Sequence, residues 1–141
     1  MNYQFPQHGS FALSRDDKVI VAHLSGTWNE ETALAYESAL TELAAPLTQE
    51  PWGHLVYLDK WDLCAPDMIP IITRLVTWCI EHKLERAANV YELSVFKTLF
   101  LNKMITEQEG RFQRKAFANA PAAITWLAES GFITSGDIPA L

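Results

Sequence analysis

The chain has 141 residues, 49% of them hydrophobic and 20% charged, the size and makeup of one ordinary folded domain. That balance excludes a disordered tail, a collagen-like chain and a disulfide-dense mini-protein, and it predicts burial of roughly 68% of the surface the unfolded chain exposes. Seventeen acidic against eleven basic side chains leave a net charge of −6, a poor match for the basic face that nucleic-acid binding requires.

Residues 1–9 read as a loose lead-in. Two strand-like runs follow, Ser10 to Ser14 and Val19 to Leu24, joined by the polar turn Arg15-Asp16-Asp17-Lys18. The second run is almost continuously apolar, which places it inside the sheet. Thr27 or Asn29 can cap the first helix, and Glu30 and Glu31 sit where the helix dipole favours acids. Ala33, Tyr36, Leu40, Leu43, Ala44 and Leu47 recur at three- and four-residue steps, one apolar face. Pro46 and Pro51 bracket its end.

His54 to Leu58 is a second buried strand, and the loop from Asp59 to Pro66 leaves it. A helix is predicted from about Asp67 to His82, with Asp67 as N-cap and Pro70 in the first turn, where its missing N–H costs nothing. It is apolar over most of its circumference, with Arg74, Thr77 and Glu81 as its polar stripe. So wide a face is either buried on two sides or offered to a ligand or partner. Ala87 to Leu93 reads as a strand, and Ser94 caps a helix from Val95 to about Glu109 that Gly110 stops. Phe112 to Phe117 is a short strand, Asn119 caps a last helix that ends at Gly131, and the tail is irregular.

The order β-β-α-β-α-β-α-β-α predicts an α/β domain with a mixed, mostly parallel sheet and one antiparallel edge strand. One domain is expected over residues 1–141, with its core at about residues 10–131.

The two cysteines, Cys64 and Cys79, make no CxxC motif. Residues 1–10 lack a basic n-region and an apolar h-region, so no secretory leader is expected. The longest apolar stretch, Met68 to Ile80, is too short and too interrupted to span a bilayer. A cytoplasmic protein with free thiols is expected. Acids cluster over residues 30–67 and bases over residues 97–115, either as two solvated faces or as a polarised surface that orients a partner.

Little in the sequence points to catalysis. Cys64 precedes a helix N-terminus that would lower its pKa, but no histidine lies near it in sequence, and a small loop residue explains it as well. His8, His23, His54 and His82 form no metal-ligand spacing. His23 and His54 lie on strands and are expected to be satisfied separately. Asp59 and Asp62 stand near a strand end, where capping and solvation account for them. No phosphate loop, GxSxG or GxGxxG is present. The compositional oddity is five tryptophans. Trp28, Trp52 and Trp61 fall in or beside predicted loops, as core anchors or as the rim of a pocket.

Two segments, HLVYLDKWDLCAPDMIPIITRL (residues 54–75) and FQRKAFANAPAAITWLAESGF (residues 112–132), resemble the SpoIIAA-like family, within the group sharing the STAS and Sec14-like fold. With Gly26-Thr27-Trp28 the resemblance spans nearly the whole chain. STAS-type anti-sigma-factor antagonists carry a phosphorylated serine or threonine where the strand at 54–58 hands over to the next helix. Here that loop reads Asp62-Leu63-Cys64-Ala65-Pro66-Asp67 and holds no hydroxyl group, so the resemblance does not extend to that switch.

What the resemblance leaves is a non-enzymatic module that binds a small apolar, lipid-like ligand, with no cofactor, in a cleft at the strand-to-helix ends. Trp28, Trp61, Cys64, Met68, Phe96 and Phe100 are the residues expected to form it. The alternative is a protein-interaction or regulatory module, in one form a homodimer, that uses the same surplus apolar helix surface.

Overall fold

Strand alternation at the start of the chain closes into a tight hairpin. β1 (Ser10–Asp16) and β2 (Val19–Ser25) pair antiparallel, from Ser10 opposite Ser25 to Asp16 opposite Val19. Only Asp17 and Lys18 remain for the turn, and Asp17 takes a left-handed conformation, φ 56°, as two-residue hairpin loops require. The expected four-residue turn is thus shorter, with Arg15 and Asp16 in the strand. The computed structural model describes residues 9–62, 66–92 and 94–135, and for Val95 and Phe96 the backbone alone.

α1 (Glu30–Ala44) starts at Asn29, whose side chain accepts the Thr32 N–H at 3.0 Å. β3 (Trp52–Tyr57), α2 (Ile69–Glu81), β4 (Leu84–Val90), α3 (Val95–Met104), β5 (Gln108–Glu109), β6 (Phe112–Phe117) and α4 (Ala120–Glu129) follow. The sheet runs β1-β2-β3-β4-β6-β5. β2, β3, β4 and β6 are parallel, and β1 and β5 are antiparallel edges. The mixed, mostly parallel sheet is therefore present, with a second antiparallel edge that the sequence reading did not include.

Two layers of core flank the sheet. Ile20, Ala22, Leu24, Trp52, Val56 and Ala87 pack against α1, α2 and the Leu101 and Met104 side chains of α3. Val19, Val21, Leu55, Ala88 and Val90 pack on the other face against Ala123 and Leu127 of α4 and against Phe132. Gly53 lies on that second face, where a Cβ would stand 3.2 Å from the Phe132 ring. The wide apolar circumference of α2 has a simple cause: it packs on the sheet with α1 on one side and α3 on the other. Thr73, Arg74, Thr77 and Glu81 form its exposed stripe.

Other boundaries also differ from expectation, and β3 starts at Trp52 and ends at Tyr57 rather than running from His54 to Leu58. A short 3-10 turn, Pro66–Met68, precedes α2, so Met68 and not Asp67 is its N-cap, and no side chain bonds there. β4 begins at Leu84 and ends at Val90. α3 stops at Met104, because residues 108 and 109 pair with β6 instead. Gly110 (φ 59°) is thus the turn of that hairpin and not a helix stop. Among the described residues no helix is long and apolar enough to cross a membrane.

Candidate functional site

The parallel strands deliver two tryptophans to one place. Gly26, just past β2, bonds from its N–H to the Lys60 carbonyl at 2.9 Å and accepts the Asp62 N–H at 3.0 Å. This clip joins the end of β2 to the loop after β3. Gly26 has φ 79°, and a Cβ on it would stand 2.7 Å from the Gly9 Cα, so only glycine fits. Trp28 and Trp61 then meet edge-to-face, centroids 6.5 Å apart at 90°. Tyr36 of α1 and Phe11 of β1 complete the aromatic cluster. Trp28 donates its indole N–H to the Ser25 carbonyl at 3.0 Å. Trp61 is 2% exposed, and its indole N–H has no partner among the described residues.

Trp28, Tyr36 and Trp61 line a cavity of about 80 Å³ between the sheet, α2 and α3. Met68 bounds it from the turn before α2, Ile72 and Leu75 from α2, and Leu101 and Met104 from α3. Asn89 and Arg114 bring polar atoms to it from β4 and β6. Arg114 shares a face with Phe112, two residues before it, and pairs in register with Ala87. Its guanidinium donates to the Asn89 and Asn102 side-chain oxygens (3.2 and 2.6 Å) and the Ile105 carbonyl (3.3 Å), while Nε has no partner among the described residues. Burial pulls its pKa below the ordinary arginine value, against the opposing influence of Glu107 and Tyr91.

His54 also faces this side of the sheet. Its Nδ1 lies 2.8 Å from the Ile20 carbonyl and its Nε2 lies 3.3 Å from the Tyr36 hydroxyl. A carbonyl only accepts, so Nδ1 carries the proton and Tyr36 donates to Nε2. Burial lowers the His54 pKa to about 4, and it raises that of Tyr36. Cys79 lies deep in the same wall, and burial pushes its thiol up to about 12, which leaves it inert as a nucleophile.

Of the six residues expected at the site, Trp28, Trp61 and Met68 line this cavity. Phe100 packs against Trp61, centroids 6.1 Å apart, without being part of the wall. Cys64 and the Phe96 side chain lie outside the described residues. Trp52 is no loop residue: it opens β3, fully buried, and donates to the His82 carbonyl at 2.8 Å. Arg114, Asn89 and His54 were not expected there. The signal for Arg114 was the period-two step from Phe112, which puts both on one face.

His23 and His54 occupy opposite faces of the sheet, since His54 pairs with Ile20 and His23 with Tyr57 in register. His23 stacks on Tyr57 with centroids 4.4 Å apart, in a more polar concavity of about 260 Å³. Burial lowers the His23 pKa, and Lys60 adds to that. Among the described residues no group of three His, Cys, Asp or Glu side chains could hold a metal ion.

This architecture has known counterparts. An uncharacterised protein of the DUF3478 family from Shewanella loihica PV-4, with a SpoIIAA-like fold, superposes with a TM-score of 0.64 at 14% identity, over 90% of this chain and 98% of that one. An anti-sigma factor antagonist from Mycobacterium paratuberculosis gives a TM-score of 0.59 at 15% identity, over 89% and 99%. The chain therefore has the SpoIIAA-like fold. No family model matches the sequence, and no curated protein matches it.

Proposed function

We propose that this chain is a non-enzymatic binding module that takes a small apolar ligand in the cavity between the sheet, α2 and α3. The observation that carries the reading is the cavity and its almost wholly apolar lining. Native cores leave few voids larger than a water molecule. At about 24 cal/mol per Å³, a cavity of about 80 Å³ costs about 2 kcal/mol, which an occupant would recover. A dry cavity of about 150 Å³ holds benzene, so a space of about 80 Å³ takes a six-carbon or longer chain only as α3 shifts outward. That helix is the adjustable wall: of its described side chains only Leu101 and Met104 are buried, and Leu99 is 57% exposed.

The test is thermal unfolding with and without hexanol, on the natural chain and on Ala87→Val. Ala87 lines the cavity from β4, and two added methyl groups occupy its space. Hexanol is expected to raise the Tm of the natural chain and to leave that of Ala87→Val unmoved. Equal behaviour of the two proteins would remove the reading. A second reading, a protein-interaction module, draws on the exposure of Leu99 and on the likeness to an anti-sigma factor antagonist. It predicts a mass by sedimentation that rises with concentration and falls back on Leu99→Glu.

A further inference from the structure

We infer that the occupant of this cavity carries one negative charge: the site suits a small apolar carboxylate, with Arg114 as its counter-charge. The inference rests on the apolar-ligand reading above and adds the chemistry of the ligand's head. Arg114 is 7% exposed and lines a cavity that is otherwise almost wholly apolar. A guanidinium so placed normally has a carboxylate beside it, because an unpaired buried charge is costly. Arg114 has none within 4.0 Å among the described residues. Its three acceptors, on Asn89, Asn102 and Ile105, are all neutral.

Glu107 and Tyr91 are the titratable groups that act on it. Glu107 influences it but is exposed, and what it supplies by hydrogen bond is its main-chain carbonyl, 2.9 Å from the Arg114 N–H. Tyr91 bonds Thr98 through its hydroxyl at 2.9 Å. The C-terminal end of α3 offers the partial negative charge of a helix end, less than a full compensation.

Two donors are left over. The Arg114 Nε–H and the Trp61 indole N–H are both buried without an acceptor among the described residues, and both residues line the one cavity. Neither group can accept. A neutral alcohol or a water satisfies a donor but leaves the charge uncompensated. An ionised carboxylate is acceptor-only and charged, and it forms short, charge-assisted bonds with a guanidinium.

The experiment is a titration of the ¹⁵N-labelled chain at pH 7.5 with hexanoate, hexanol and hexylammonium in turn, followed at the Arg114 Nε–H and Trp61 indole resonances. Hexanoate is expected to shift the Arg114 signal saturably and to bind at least 10-fold more tightly than hexanol, with hexylammonium inert. Arg114→Met is expected to bring hexanoate down to the affinity of hexanol. Equal affinities of hexanoate and hexanol for the natural chain would overturn the charge assignment and leave the apolar site standing. Absence of saturable shifts with all three would overturn both. The comparison on the natural chain decides the matter even where Arg114→Met does not fold.

Discussion

Acidification tests the burial of His54 directly. In the fold its pKa lies at about 4, against about 6.5 in an unfolded chain. The depressed value means the unfolded state binds the proton first, so stability falls as pH drops from about 6.5 towards about 4. At pH 5.0 the unfolded imidazole is almost fully charged and the folded one mostly neutral. The difference in proton binding amounts to about 2 kcal/mol lost between pH 7.5 and 5.0. Urea unfolding followed by tryptophan fluorescence at the two pH values measures it. His23, also lowered, adds a loss of the same sign, so the contribution of His54 is isolated by repeating the pair of curves on His54→Gln. Glutamine keeps a donor and an acceptor and does not titrate. The variant is expected to be less stable at pH 7.5, yet to lose about 2 kcal/mol less on acidification. A His54 ring signal that titrates near 6.5 by NMR, or identical pH losses in the two proteins, would refute the buried neutral tautomer and the hydrogen bonds assigned to it.

Three further outcomes follow from single contacts. Gly26→Ala forces a left-handed alanine whose Cβ meets backbone at 2.7 Å, and chemical denaturation is expected to register a loss of at least about 1 kcal/mol. The Cys79 thiol, buried and held near 12, is expected to resist a thiol reagent at pH 8 until the chain unfolds, as peptide mapping of the labelled protein will read. Glu37 and Arg74 share two bonds of 2.6 and 2.7 Å on the surface, and a double-mutant cycle is expected to show little coupling despite that geometry, because solvent screens the pair.

The strand-helix order and the hairpin edge were legible because apolar periodicity and caps act locally. Asn29, Ser94 and Asn119 each accept a backbone N–H three residues on, as their positions foretold. The end of α3 was not legible. Gly110 carries the same local signal as a helix stop and as a hairpin turn, and only pairing with β6 selects the turn. Asp67 lost its cap role for a similar reason, since a 3-10 turn through Met68 leads into α2. The tryptophans were legible as neighbours through topology: a strand end and the loop of the next parallel strand must meet. Part of the cavity wall was legible with them, since Trp28, Trp61 and Met68 line it, but its size was not, because that depends on the distance between α3 and the sheet, which no short-range pattern encodes. Arg114 was concealed by its charge. It sits in a basic cluster and reads as solvated, and only its register beside Ala87, under the end of α3, buries it.

The most direct test of a ligand-ready cavity is a crystal of the natural chain under xenon pressure, since xenon enters apolar cavities. The account predicts one xenon site between α2, α3 and the sheet, bounded by Trp61, Met68 and Leu101. A cavity closed by side-chain movement, or filled by ordered waters with no xenon, would contradict it.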